Sequence, residues 1–125
     1  MTPTRSSYVL WVSMDIEPSR EATLHQVYER DHLPTLLSVP GVRSAQRLVT
    51  TTGGIVLGGE VKPMGTDDVA RHHTVYSIDS PGVLVSPEWR AAVDAGAWAA
   101  TVRPHLTNRR HTVLEVVQSM VSSRA

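Results

Sequence analysis

Apolar positions along the chain fall into short runs of strand type, separated by two stretches of helical spacing. Residues 7 to 15, SYVLWVSMD, are rich in β-branched and aromatic side chains and too short for a core helix, which predicts a first strand buried on both faces. Glu17-Pro18-Ser19-Arg20-Glu21 then opens a helix, with proline and carboxylates where free amides and the positive dipole end favour them. Leu24, Val27, Tyr28 and Asp31 follow at i, i+3, i+4 and i+7, so the stripe that should face the core ends in a carboxylate. Near a helix C-terminus a carboxylate is opposed by the dipole and belongs there only if something else holds it. Pro34 removes a backbone donor and disfavours helical geometry at Leu33. The helix should therefore stop or kink around Asp31 and His32, with a second short turn through Leu37.

The segment VRSAQRLVT reads as a second strand after the Pro40-Gly41 turn, and residues 51 to 70, with five of the eight glycines, read as a hairpin or long loop. A third strand is predicted over His73 to Asp79. Ser86-Pro87-Glu88 starts a second helix, with Ser86 as cap, that carries Trp89, Ala92 and Val93 and ends by Gly96. Trp98 and Val102 should pack nearby, and Arg103-Pro104-His105 interrupts before a last strand of roughly Arg110 to Gln118. The order β-α-β-β-α-β predicts an α+β fold, a ferredoxin-like sandwich in one domain spanning residues 1 to 125. Two helices cover only one face of such a sheet. Val9 to Val12, Val113, Val116 and Val117 leave few polar positions, so the other face needs a cover, and a homodimer through the sheet face is the simplest supply.

Twelve basic and twelve acidic residues balance to zero, which leaves no overall field to attract nucleic acid or an anionic membrane. With no cysteine there is no disulfide framework, thiolate nucleophile or cysteine zinc site, in keeping with a cytoplasmic protein. The run YVLWVSM is too short for a signal core and lacks a small-residue cleavage site, and no apolar run reaches the roughly eighteen residues of a membrane span.

The segment YERDHLPTLLSVPGVRSAQR resembles the signature of EthD-like members of the dimeric α+β barrel superfamily: a Tyr, an acidic residue and a His before a Pro, then a VPG turn and an Arg-bearing strand. A second block, VYSIDSPGVLVSPEWRAAVDAGAWAATVRPHLTNRRHTVLEV, is similar to the C-terminal half of the same group, whereas residues 51 to 70 are longer and more Gly-rich than usual. The resemblance implies two ferredoxin-like protomers pairing their sheets, each with a small-molecule pocket between sheet and helices. That superfamily includes polyketide cyclases, muconolactone isomerases, cofactor-free monooxygenases and haem-using branches, so fold alone does not select the reaction.

His32 leads the catalytic candidates, because an imidazole beside a helix break can take and return a proton near neutral pH. The alternative is a His that caps terminal carbonyls. Asp31 could steady that imidazole or form a structural ion pair with Arg43, Arg47 or Arg103. Tyr28, one turn before His32, could donate to an enolate oxygen or simply belong to the core. His105 and Asn108 lie in the RPHLTN stretch and could face the pocket, or could serve the turn backbone. Arg47, Tyr76, Trp11, Trp89 and Trp98 are candidate substrate contacts, the tryptophans being core residues that a small pocket would also use as walls. His72 and His73 should point to opposite faces, so at most one shares a pocket with Tyr76. His25, Glu29 and His32 have a spacing that could ligate a metal, yet no further ligand converges, and no nucleotide-binding or serine-hydrolase motif is present. The expectation is a cyclase, isomerase or lyase without metal or organic cofactor, acting by acid/base chemistry on a small apolar carbonyl or enol metabolite such as a polyketide or aromatic intermediate. A cofactor-free monooxygenase and a non-catalytic binding or partner-stabilising module are the alternatives.

Overall fold

The computed structural model describes residues 8–124. Strands β1 (Tyr8–Asp15), β2 (Val42–Val49), β5 (His72–Ile78) and β6 (Thr107–Glu115) form one antiparallel sheet in the order β2-β5-β1-β6, the arrangement of the ferredoxin-like sandwich. A separate hairpin of β3 (Gly54–Leu57) and β4 (Glu60–Pro63) occupies the Gly-rich region. The last strand begins three residues earlier than the sequence suggests and ends at Glu115. Residue 7, assigned above to the first strand, lies outside the described residues.

One face of the sheet carries the helices. Leu10, Val12 and Met14 of β1 alternate inward with Tyr76 and Ile78 of β5 to meet Leu24, Val27, Tyr28 and Leu36. β1 is therefore not buried on both faces as its composition suggested: Trp11, on the opposite side of the pleat, is 43% exposed. Leu48 and Leu114 share that back face at 41% and 42% exposure, because the chain carries helices for one side only.

The first helical layer runs without interruption through three segments: α1 (Glu21–Val27), a wide π-helical turn over Tyr28–His32, and α2 (Leu33–Leu37). Pro34 does not stop it. Leu33 keeps helical angles (φ −63°, ψ −48°) and its N–H reaches back five residues to the Tyr28 carbonyl. A proline ring clashes with the carbonyl four residues earlier in a regular α-helix, and widening the turn before it is one way to absorb that conflict. The second layer repeats the device. After α3 (Pro87–Val93), whose Ser86 cap accepts the Trp89 N–H at 3.1 Å, a π turn over Trp98–Val102 ends two residues before Pro104, with Arg103 N–H bonded to the Trp98 carbonyl.

Asp31 joins the two layers. Its Oδ2 accepts the Ala97 N–H at 2.6 Å, so a carboxylate of the first layer satisfies an amide at the start of the other π-turned segment. Gly96 makes that approach possible: its φ is +64°, and a Cβ there would collide with the Asp31 carboxylate. Among the described residues no helix is long and apolar enough to cross a membrane.

Gly96→Ala should cost both the left-handed strain and the Asp31 contact, a loss of about 1–3 kcal/mol. Gly58 also has a positive φ (+61°) but open space around it, so Gly58→Ala carries only the backbone cost. Urea denaturation of the two variants checks this; equal losses would show that the Asp31 contact adds nothing.

Candidate active site

A cavity of about 570 Å³ opens between the sheet and the two π turns. Tyr28 and His32 from the first turn, Trp98 from the second, Trp89 from α3, and Tyr76 from β5 all line it, as the sequence suggested. Apolar side chains of β1 form its floor.

His32 is 5% exposed and stacks flat on the Trp98 indole, ring centroids 3.9 Å apart and planes 3° from parallel. The first residues of the two π turns also meet, Tyr28 and Trp98 at 4.8 Å. His32 Nδ1 is buried without a hydrogen-bond partner among the described residues. Burial drives the imidazole pKa from 6.5 down to about 4, with Arg103 acting in the same direction and Asp31 opposing. The ring is thus neutral at physiological pH. Tyr28 and Tyr76, also raised by burial, keep their protons, and the Tyr28 hydroxyl points at Met14 Sδ, 3.8 Å away.

Asp31 binds neither the imidazole nor an arginine; its partner is the Ala97 amide. All three arginines considered for it are engaged elsewhere. Arg43 forks onto Asp79 at 2.7 and 2.9 Å, Arg103 meets Asp94 at 2.7 Å, and Arg47 lies 4.3 Å over the Tyr28 ring and 3.1 Å from His25 Nδ1. Arg47 is therefore outside the cavity, behind the tyrosine that lines it.

His105 and Asn108 stand apart from the cavity as well. His105 borders a shallow hollow with Asp15 and Thr107, and Asn108 Nδ2 donates to Asp15 Oδ2 at 3.0 Å. Trp11 projects from the back face, where its indole N–H donates to His73 Nδ1 at 3.0 Å. His72 and His73 do face opposite ways, and neither lines the cavity: His72 sits beside Glu21 at 3.6 Å and His25 at a 5.6 Å ring separation. The π turn also breaks the helical spacing of His25, Glu29 and His32, and no group of three metal-ligating side chains converges among the described residues. Four polar lining residues escaped sequence reasoning: Asp94, Arg103, Arg109 and His111. Only the pairing of β6 with β1 reveals the last two.

No protein-family model matches the chain, and no curated protein does. Among solved structures it is similar to a crystal structure of a point mutant of MhuD with two manganese protoporphyrin IX bound per active site, with a TM-score of 0.61 over 92% of this chain and 99% of that one at 15% identity. The fold is ferredoxin-like α+β. The likeness shows that fold and does not single out the EthD-like branch.

Because the His32 pKa is lower folded (about 4) than unfolded (6.5), the unfolded chain binds more protons between those values. Its contribution to stability is complete above pH 6.5 and is lost as the pH falls toward 4, on the order of 3 kcal/mol in all. His72, also lowered by burial, acts in the same sense. Chemical denaturation from pH 7.5 to 4.5 should show this decline, shallower in His32→Gln; identical pH slopes would contradict the burial-depressed imidazole.

Proposed function

We propose that the cavity is the active site of a monooxygenase that acts on a small, flat, largely apolar molecule bearing a carbonyl or enol oxygen. The observation that carries the reading is the neutral, unpartnered His32 imidazole held against Trp98 in an apolar cavity. Stacked aromatic walls suit a planar ring system, and the MhuD variant's planar porphyrins support the same ligand shape.

A neutral imidazole can accept a proton, but charging it inside an apolar wall is costly unless the departing proton leaves an anion beside it. Proton transfer is thereby tied to bound substrate. The un-ionised Tyr28 and Tyr76 hydroxyls are donors for the oxyanion that forms. Once generated, the electron-rich anion reacts with dioxygen, so that a methylene group and one dioxygen molecule give a carbonyl group and one water. Two C–H bonds break and one C=O forms; carbon supplies the electrons that dioxygen takes up, and the second oxygen leaves as water.

A cyclase, isomerase or lyase would use the same imidazole and return the proton within the product. Nothing in the MhuD likeness supports that class over oxygenation. A second reading has a specific observation in its favour, since the MhuD variant holds porphyrins in its active site. Here the neutral His32 is the form that ligates a metal, and Arg109 offers a cation to a carboxylate-bearing macrocycle, so a metalloporphyrin fits the residues present. Such a group would supply oxygen activation.

The exposed Trp11, Leu48 and Leu114 support pairing of two copies through the back face. Sedimentation velocity should give a dimer that Trp11→Glu converts to monomer; a wild-type monomer at micromolar concentration would remove this part of the proposal.

Anthrone, a tricyclic enolisable ketone, probes the chemistry in an oxygen electrode, with haemin titration followed in the Soret region alongside. Oxygen uptake matched to anthraquinone formation, reduced at least about a hundredfold in a folded His32→Ala variant, is the expected result. Turnover of other enolisable substrates without oxygen uptake would return the reading to acid/base chemistry. A stoichiometric Soret shift lost in His32→Ala would favour the porphyrin reading.

A further inference from the structure

The cavity lining includes charged side chains that the proposed oxygenation does not use: Arg109, with His111, from β6, and Arg103 and Asp94 from the second helical layer. Arg103 is already occupied by Asp94 and by the Val93 carbonyl. No carboxylate stands within ion-pair distance of Arg109 among the described residues.

Along β1 and β6, six successive pairs from Tyr8–Glu115 to Ser13–Arg110 keep one register, and continuing it places Arg109 opposite Met14, on the same face as His111 and Val113. All three line the cavity. Asp15 pairs with Thr107, so Met14 is opposite two residues of β6, Asn108 and Arg109, and this β-bulge ends the register just beyond Arg109.

Asn108 carries the irregularity. Its φ is +51°, a left-handed conformation that Asn tolerates better than most residues, and its side chain is tied to Asp15 Oδ2 at 3.0 Å. The other oxygen of that carboxylate accepts the Arg71 N–H at 2.7 Å, which anchors the bulge to the approach to β5. Burial raises the Tyr28 pKa and lowers that of His111; the charge of Arg109 works against the first shift and with the second.

We propose that Arg109, on the cavity face of β6 beside the Asn108 bulge, is an anion subsite that takes a carboxylate on an otherwise flat and apolar ligand, with His111 as a second hydrogen-bonding partner. The inference rests on the cavity being a ligand site, as argued under the proposed function, and adds the chemical class of the ligand.

Anthracene-2-carboxylate and anthracene-2-methanol differ only at the group in question, and calorimetric titration of both into the full chain tests the subsite. Wild type should bind the carboxylate about tenfold or more tightly than the alcohol, a margin that shrinks with added salt. Arg109→Gln should reduce the difference to about twofold and leave alcohol binding unchanged. Equal affinities in wild type, or a carboxylate preference that survives Arg109→Gln, overturn the subsite and leave the cavity reading standing. Binding of neither probe by wild type overturns both.

Discussion

The contact between the two π turns governs the rest of the molecule. Each turn ends just before an X-Pro pair, Leu33-Pro34 in one and Arg103-Pro104 in the other, and each begins with the aromatic ring that meets its counterpart, Tyr28 against Trp98. Two helices widened at the same level leave room between themselves and the sheet. An α-helical continuation would have closed that space with regular ridges and grooves. The Asp31 bond to Ala97, admitted by Gly96, fixes the level at which the turns face each other, and His32 is pressed onto Trp98 as a result.

From that placement the electrostatics follow. An imidazole between an indole and apolar sheet residues loses its hydration, and with Arg103 nearby its charged form is doubly disfavoured. Aromatic and apolar side chains surround the neutral His32 ring, while β6 adds the Arg109 cation to the cavity lining. At 15% identity the likeness to MhuD shows a shared architecture, and architecture alone does not carry a reaction with it.

Much of the site was legible because some sequence signals are local. Tyr28 and His32 stood out beside the helix break and in the EthD-like resemblance, Tyr76 in strand alternation, and Trp89 and Trp98 as large aromatics in a chain without Phe, and all line the cavity. The dipole argument about Asp31 expected a helix end that the structure does not have, since the helix runs on to Leu37; an outside group does hold the carboxylate, but it is a backbone amide, which has no signature in sequence. Trp11, Arg47, His105 and Asn108 were assigned to the ligand for their chemistry. Trp11 and Arg47 fell away when the pleat and the Tyr28 ring put them on other sides, and the other two because the chain after Pro104 turns toward Asp15.

The sequence by itself determined the order of strands and helices, the cap at Ser86, the residues of the aromatic wall and the need for an external cover on the sheet, since each depends on neighbours within a few positions. Tertiary structure alone decided that the first helix would widen and run on past Pro34, that Asp31 would serve the opposite helix, and that the pairing of β6 with β1 would put Arg109 on the cavity face. Those outcomes depend on which backbone groups come together from distant parts of the chain, and a one-residue shift in strand pairing exchanges the two faces of every residue that follows it.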